Sequence, residues 1–122
     1  MTKIDLSSEA PDVVIESTFL SRLERGWFAE VVASEDAYTK AALWKGSWHI
    51  RVVNDDLTRE EWLATYRDAR KRREATETSK YRTFKTANGL ISYLAGIGFK
   101  VAHIPLEAGG FSRLTKEAPE ST

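Results

Sequence analysis

The stretch Ala41-Ala42-Leu43-Trp44-Lys45-Gly46-Ser47-Trp48-His49-Ile50-Arg51-Val52-Val53 decides how this chain folds. From Ser47 onward it alternates, with Trp48, Ile50 and Val52 on one side and Ser47, His49 and Arg51 on the other. That period of two belongs to a strand with one covered face. Lys45-Gly46 reads as a two-residue hairpin connection, because glycine supplies the positive φ that tight hairpin turns require. Residues 41–44 and 47–53 are therefore expected to pair antiparallel.

Working upstream, Trp27 to Val32 reads as a strand, with Trp27, Ala29 and Val31 on one face and Phe28, Glu30 and Val32 on the other. Ser34-Glu35-Asp36 turns it. Val13 to Gly26 admits two readings. Phe19, Leu20 and Leu23 suit a helix face, whereas Glu24-Arg25-Gly26 also suits a hairpin loop, and the helix is preferred.

Downstream, Thr58 and Glu61 have the spacing of a capping box, and Leu57 can staple onto Trp62. Trp62, Leu63, Tyr66, Ala69 and Arg73 then follow the helical period, which predicts a helix that becomes wholly polar after Ala69. Tyr81 to Phe84 reads as a short strand, and Thr86 as the cap of a second helix with Leu90, Ile91 and Leu94 on its apolar stripe and Gly96 as its stop. A last strand is expected from Phe99 to Ile104, ended by Pro105, which has no N–H to give to a ladder.

This order predicts an α+β fold: a two-layer sandwich whose mainly antiparallel sheet of about five strands carries two helices on one face. Residues 13–106 form a single domain in this reading, between flexible tails at 1–12 and 107–122. The face bearing Glu30, His49 and Arg51 is expected to meet solvent, a partner or a second copy.

With 122 residues, 42% of them apolar and four tryptophans, the chain has material for one core. The absence of cysteine removes disulfides, thiolate nucleophiles and cysteine-held metal centres. His49 and His103 are the only histidines, too few to build a metal site without other ligands, so neither metal nor cofactor is expected. No signal peptide or apolar run of membrane-crossing length is evident, which implies a cytoplasmic protein with no membrane partner.

Charge gives the functional expectation. The formal net charge is zero, yet residues 1–66 carry −5, residues 67–85 carry +5 and residues 86–122 carry 0. Arg67, Arg70, Lys71, Arg72, Arg73, Lys80, Arg82 and Lys85 hold the positive excess. On a helix end and the strand after it, such cations can neutralise successive phosphates and release their counterions. The same residues also suit a solvated helix C-terminus, where they complement the macrodipole. Phosphate contacts carry no base information, so Trp44, beside the expected turn, is the candidate for stacking on a base. Trp48 and Trp62 are expected in the core.

No catalytic group is assigned. His49 beside Arg51 is an isolated acid–base candidate without an orienting partner. The pairs Glu35-Asp36, Asp55-Asp56 and Glu60-Glu61 are explained by turns and helix starts. The expectation is a non-enzymatic binding protein, taking nucleic acid or an acidic protein surface as partner, and the opposite charges of its segments allow a homodimer.

Residues Tyr81-Arg82-Thr83-Phe84-Lys85-Thr86, Leu90-Ile91-Ser92-Tyr93-Leu94 and Gly96-Ile97-Gly98-Phe99 carry a resemblance. Residues 80–104 resemble the C-terminal part of small plasmid-borne ParC-like partition-associated proteins, in which a basic stretch precedes an Arg-x-Phe-Lys strand and a Leu-x-x-Tyr-Leu-x-x-x-Gly helix. The resemblance implies an accessory, non-enzymatic role in plasmid maintenance and transfers no catalytic residue.

Overall fold

Phe19 is the one fully buried side chain of the first helix, and the helix ends because Gly26 takes a left-handed φ of 96°. Gly26 N–H donates to Leu23 O and Trp27 N–H to Arg22 O, the paired bonds of a Schellman cap. Of the two readings of Val13 to Gly26, the helix is the one found. The computed structural model describes residues 13–64 and 81–114. In chain order they form β1 (Val13–Val14), α1 (Glu16–Glu24), β2 (Phe28–Ala33), β3 (Tyr38–Lys40), β4 (Leu43–Val53), β5 (Glu60–Leu63), β6 (Phe84–Thr86), α2 (Ala87–Gly96) and β7 (Phe111–Leu114).

The class is α+β, with a mixed seven-stranded sheet in place of the expected five or so strands. Its order is β1-β5-β4-β2-β7, with β3 and β6 also paired to β4. β1 runs parallel to β5, while β3, β5 and β6 each pair antiparallel with β4. The chain divides into two compact units, Met1–Ala29 with Ile50–Arg82, and Glu30–His49 with Thr83–Thr122.

In the first unit the core holds Phe19, Ala29, Ile50, Val52, Val53, Trp62, Leu63 and Ala64. The capping-box helix expected from Thr58 does not form over its first residues, because β5 occupies them. Asn54 to Arg59 is a loop between paired strands: Asn54 Oδ1 accepts the N–H groups of Thr58 and Arg59 at 2.9 and 3.0 Å, and the Thr58 hydroxyl donates to Asp56 Oδ1 at 2.7 Å. Thr58 is thus spent on the loop, and Leu57 sits at a φ of 63°. Trp62 and Leu63 are buried by pairing with Arg51 on one side and with Val13 and Val14 on the other. Two long-range ladders outweigh a local helix signal whose gain is about 1 kcal/mol. The remainder of that expected helix lies outside the described residues.

In the second unit Val31, Ala33, Trp48, Phe84, Leu90, Leu94, Phe99 and Leu114 form the core. The hairpin turn is not at Lys45-Gly46. β4 runs through both residues, and the turn falls at Ala41 and Ala42, whose φ angles of 55° and 67° place both in the left-handed region. Gly46 serves space instead of φ. A Cβ there would stand 2.9 Å from Cη2 of the buried Trp48 indole, whose Nε1–H donates to Pro105 O at 2.8 Å.

Thr86 caps α2 as expected, its hydroxyl accepting the Gly89 N–H at 3.0 Å. Gly96 is the last helical residue, and Gly98 at φ 109° performs the stop, with Phe99 N–H bonded to Leu94 O. No strand forms over Phe99–Ile104. The last described strand is β7, within the stretch expected to be a flexible tail from 107, and it buries Leu114. Glu30 is also corrected: it is buried and bound by Arg113 at 2.8 Å, while His49 and Arg51 are half-buried.

Candidate functional site

The β3–β4 hairpin carries the candidate site. Tyr38 pairs with Lys45, Thr39 with Trp44 and Lys40 with Leu43. Directly paired residues of antiparallel strands share a face. One face therefore carries Tyr38, Lys40, Leu43 and Lys45, and the other Thr39 and Trp44. Both faces meet solvent: Tyr38, Leu43 and Trp44 are 52%, 54% and 48% exposed. On its other edge β4 pairs with β6 through Lys45 and Thr86. Alternation from that pair puts Lys85 on the face of Trp44, and Lys85 is exposed.

Residues 38–45 and 83–89 contain Lys40, Lys45 and Lys85 and no carboxylate. The first turn of α2, which starts one residue beyond Thr86, likewise holds no acidic side chain. The surface is thus positive and aromatic together, the combination that takes phosphates on cations and bases on a ring.

Of the residues expected to bind, Trp44 and Lys85 are placed here, on one side of β4 and β6. Arg82 belongs to the first unit, half-buried, with its N–H on Leu63 O at 2.9 Å. Arg67, Arg70, Lys71, Arg72, Arg73 and Lys80 lie outside the described residues. Tyr38, Lys40 and Lys45 were missed by sequence reasoning. Assigning Lys45-Gly46 to a turn hid Lys45, and a three-residue strand exposed on both faces leaves no apolar period to detect.

The charges of the first unit are arranged differently. Glu61 receives Arg22 Nε at 2.7 Å and Nη2 at 3.2 Å, and Arg59 approaches the same carboxylate at 3.4 Å. Glu60 receives the Trp62 indole N–H at 2.8 Å and Arg51 at 3.4 Å. The arginines also lie over aromatic rings, Arg22 over Trp27 at 5.1 Å and Arg51 over Trp62 at 5.4 Å, while Tyr81 stacks on Trp62 at 4.8 Å. The hydrogen bond that Arg22 donates to Glu61, opposed by burial and reinforced by the Glu61 charge, raises the Arg22 pKa above its ordinary value. These carboxylates are engaged in holding the unit together.

His49 Nε2 lies 3.1 Å from Ser34 Oγ, which is 3.2 Å from Ser47 O. Ser34 has one hydroxyl proton. With that proton on the Ser47 carbonyl, the His49 imidazole is the donor to Ser34 Oγ. Among the described residues no group of three His, Asp or Glu side chains is placed to hold a metal ion, and no helix is long and apolar enough to cross a membrane.

No protein-family model matches the chain, and neither a curated protein nor a solved structure matches it.

Proposed function

We propose that this chain is a small non-enzymatic accessory protein that binds nucleic acid, DNA foremost. The observation that carries the reading is the solvent-exposed Trp44 on a hairpin that bears Lys40 and Lys45 on its other face and is flanked by Lys85 of β6, with no carboxylate in residues 38–45 and 83–89. The positive excess that Arg67, Arg70, Lys71, Arg72, Arg73, Lys80 and Arg82 give the sequence favours the same class of ligand. Plasmid maintenance, in the cytoplasm, is the process that the resemblance of residues 80–104 suggests.

Anisotropy of labelled single- and double-stranded DNA, titrated with the full chain at low and moderate salt, tests the reading. Binding that weakens steeply with salt is expected. Absence of binding to either probe at low salt would overturn it.

A second reading, a protein-interaction module or inhibitor that sets its basic patch against an acidic surface, or a homodimer, is favoured by one observation. Tyr38, Leu43, Trp44, Leu106 and Phe111 all stand out of the second unit as large exposed apolar side chains. Sedimentation at two salt concentrations separates the homotypic form of this reading, which requires a species larger than the monomer.

A further inference from the structure

We infer that the Trp44 face of the β3–β4 hairpin is a platform for an unpaired nucleic-acid strand, with one base stacked on the indole and a neighbouring phosphate on Lys85. The inference rests on the nucleic-acid reading above and narrows it to one kind of strand.

Three observations carry it. First, the four tryptophans have different surroundings. Trp48 and Trp62 are buried, Trp27 is half-buried beneath the Arg22 guanidinium, and Trp44 alone is exposed. Its ring therefore offers a face that packing does not use. Second, alternation from the Lys45–Thr86 pair sets Trp44 and Lys85 on the same side of β4 and β6, beside the register shift between Lys45 and Trp48. The ring and the ammonium are therefore offered to one strand from the same side. Third, residues 38–45 and 83–89 contain no Asp or Glu to repel the backbone.

Charge alone does not distinguish a duplex from a single strand, because both present phosphates. The ring does. Within a duplex each base is covered above and below by its neighbours, and its flat face becomes available only when the strand is unpaired. An exposed indole is thus of little use on a duplex and adds a contact at every position of a single strand, whatever its sequence. Lys40 and Lys45 on the opposite face raise the potential around the hairpin without choosing between the two forms.

The test uses the full chain with fluorescein-labelled oligo(dT) and a self-complementary duplex of equal length, in wild type, W44A, W44F and K85A. Trp44 lies outside both cores, so W44A keeps the fold, which its circular dichroism verifies. The expected results are tighter binding of oligo(dT) than of duplex, a loss of about 5- to 150-fold for W44A on oligo(dT), and a duplex affinity that W44A leaves in place. W44F retains most of the single-strand affinity. K85A lowers the slope of log K against log salt by about 0.7 on the single strand. If the chain binds but prefers duplex, or if W44A leaves oligo(dT) binding unchanged, the platform is overturned while the nucleic-acid reading stands. If neither probe binds at low salt, both fall.

Discussion

In the first unit Glu60 and Glu61 point inward from β5, each met by arginine, and Trp62 gives its indole proton to one of them. In the second unit Tyr38, Trp44, Lys40 and Lys45 stand on a hairpin with two solvent-exposed faces, and Lys85 is exposed on the neighbouring β6. The same residue classes are used to close one unit and to open the other. Charge that is buried must be matched within the molecule, since an uncompensated ion inside costs several kcal/mol. Charge and aromatic surface left outside the cores are not required for folding, and this is why the hairpin, with no carboxylate of its own, is the place to look for a ligand.

Substitution at Glu61 gives the largest effect expected from that contrast. Glu61→Gln strands Arg22 and Arg59 beside a neutral amide and should lower stability in urea unfolding by about 2–3 kcal/mol, below the range for fully buried pairs because Arg22 keeps 24% of its side chain exposed. Replacing Arg22 and Glu61 together by Met and Leu should recover much of the loss. The raised Arg22 pKa means that the pair contributes fully below arginine's unfolded-state value and fades only as pH climbs past the folded one. The deficit of Glu61→Gln should therefore hold steady from neutral pH to about pH 10.

Gly46→Ala comes next and tests the closed part of the second unit. The added methyl would meet the Trp48 ring at 2.9 Å, and that ring is held by Pro105 O and paired against Phe84. A loss of about 1–3 kcal/mol is expected in thermal or chemical unfolding. A neutral outcome would show that the indole can shift, and that glycine is not needed for the approach.

The hairpin tip should respond in the opposite direction. Ala41 and Ala42 occupy left-handed backbone in which alanine is strained, and Asn-Gly suits the same turn. The double change Ala41→Asn with Ala42→Gly should stabilise the chain by about 1–2 kcal/mol. The smallest effect belongs to Trp44→Ala, within about 0.5 kcal/mol of wild type in unfolding experiments. A large destabilisation there would break the comparison, because it would make Trp44 a packing residue.

The sequence reveals what repeats along it. The alternation of Trp48, Ile50 and Val52 reports a buried strand face, and all three are fully buried. The Thr86 cap and the stripe of Leu90 and Leu94 report α2, because these are local contacts with local signals. Legibility fails where one residue type serves two ends. Gly46 looks like a turn glycine but is required for its missing Cβ, and the real turn is made by two alanines that carry no turn signature. Thr58 and Glu61 match a capping box by spacing, yet their partners are Asp56, Asn54 and Arg22, the last of them 39 residues away. Glu30 looks like a surface carboxylate because Arg113 stands 83 positions downstream. Of the site, Trp44 and Lys85 were legible as types without their common side, which only the pairing of β4 with β6 supplies.

The alanine turn also bears on the order in which the chain assembles. A turn whose two central residues disfavour the required backbone does not nucleate a hairpin from local preference, unlike an Asn-Gly turn. Its closure then depends on β4 being held by distant partners such as Phe84 and Pro105, and hairpin formation is expected to follow the main barrier to folding. Easing the turn with Asn-Gly should then slow unfolding and leave the folding rate nearly unchanged, the pattern of a region still open in the transition state. The aromatic hairpin would be the last part of its unit to close and the first to open.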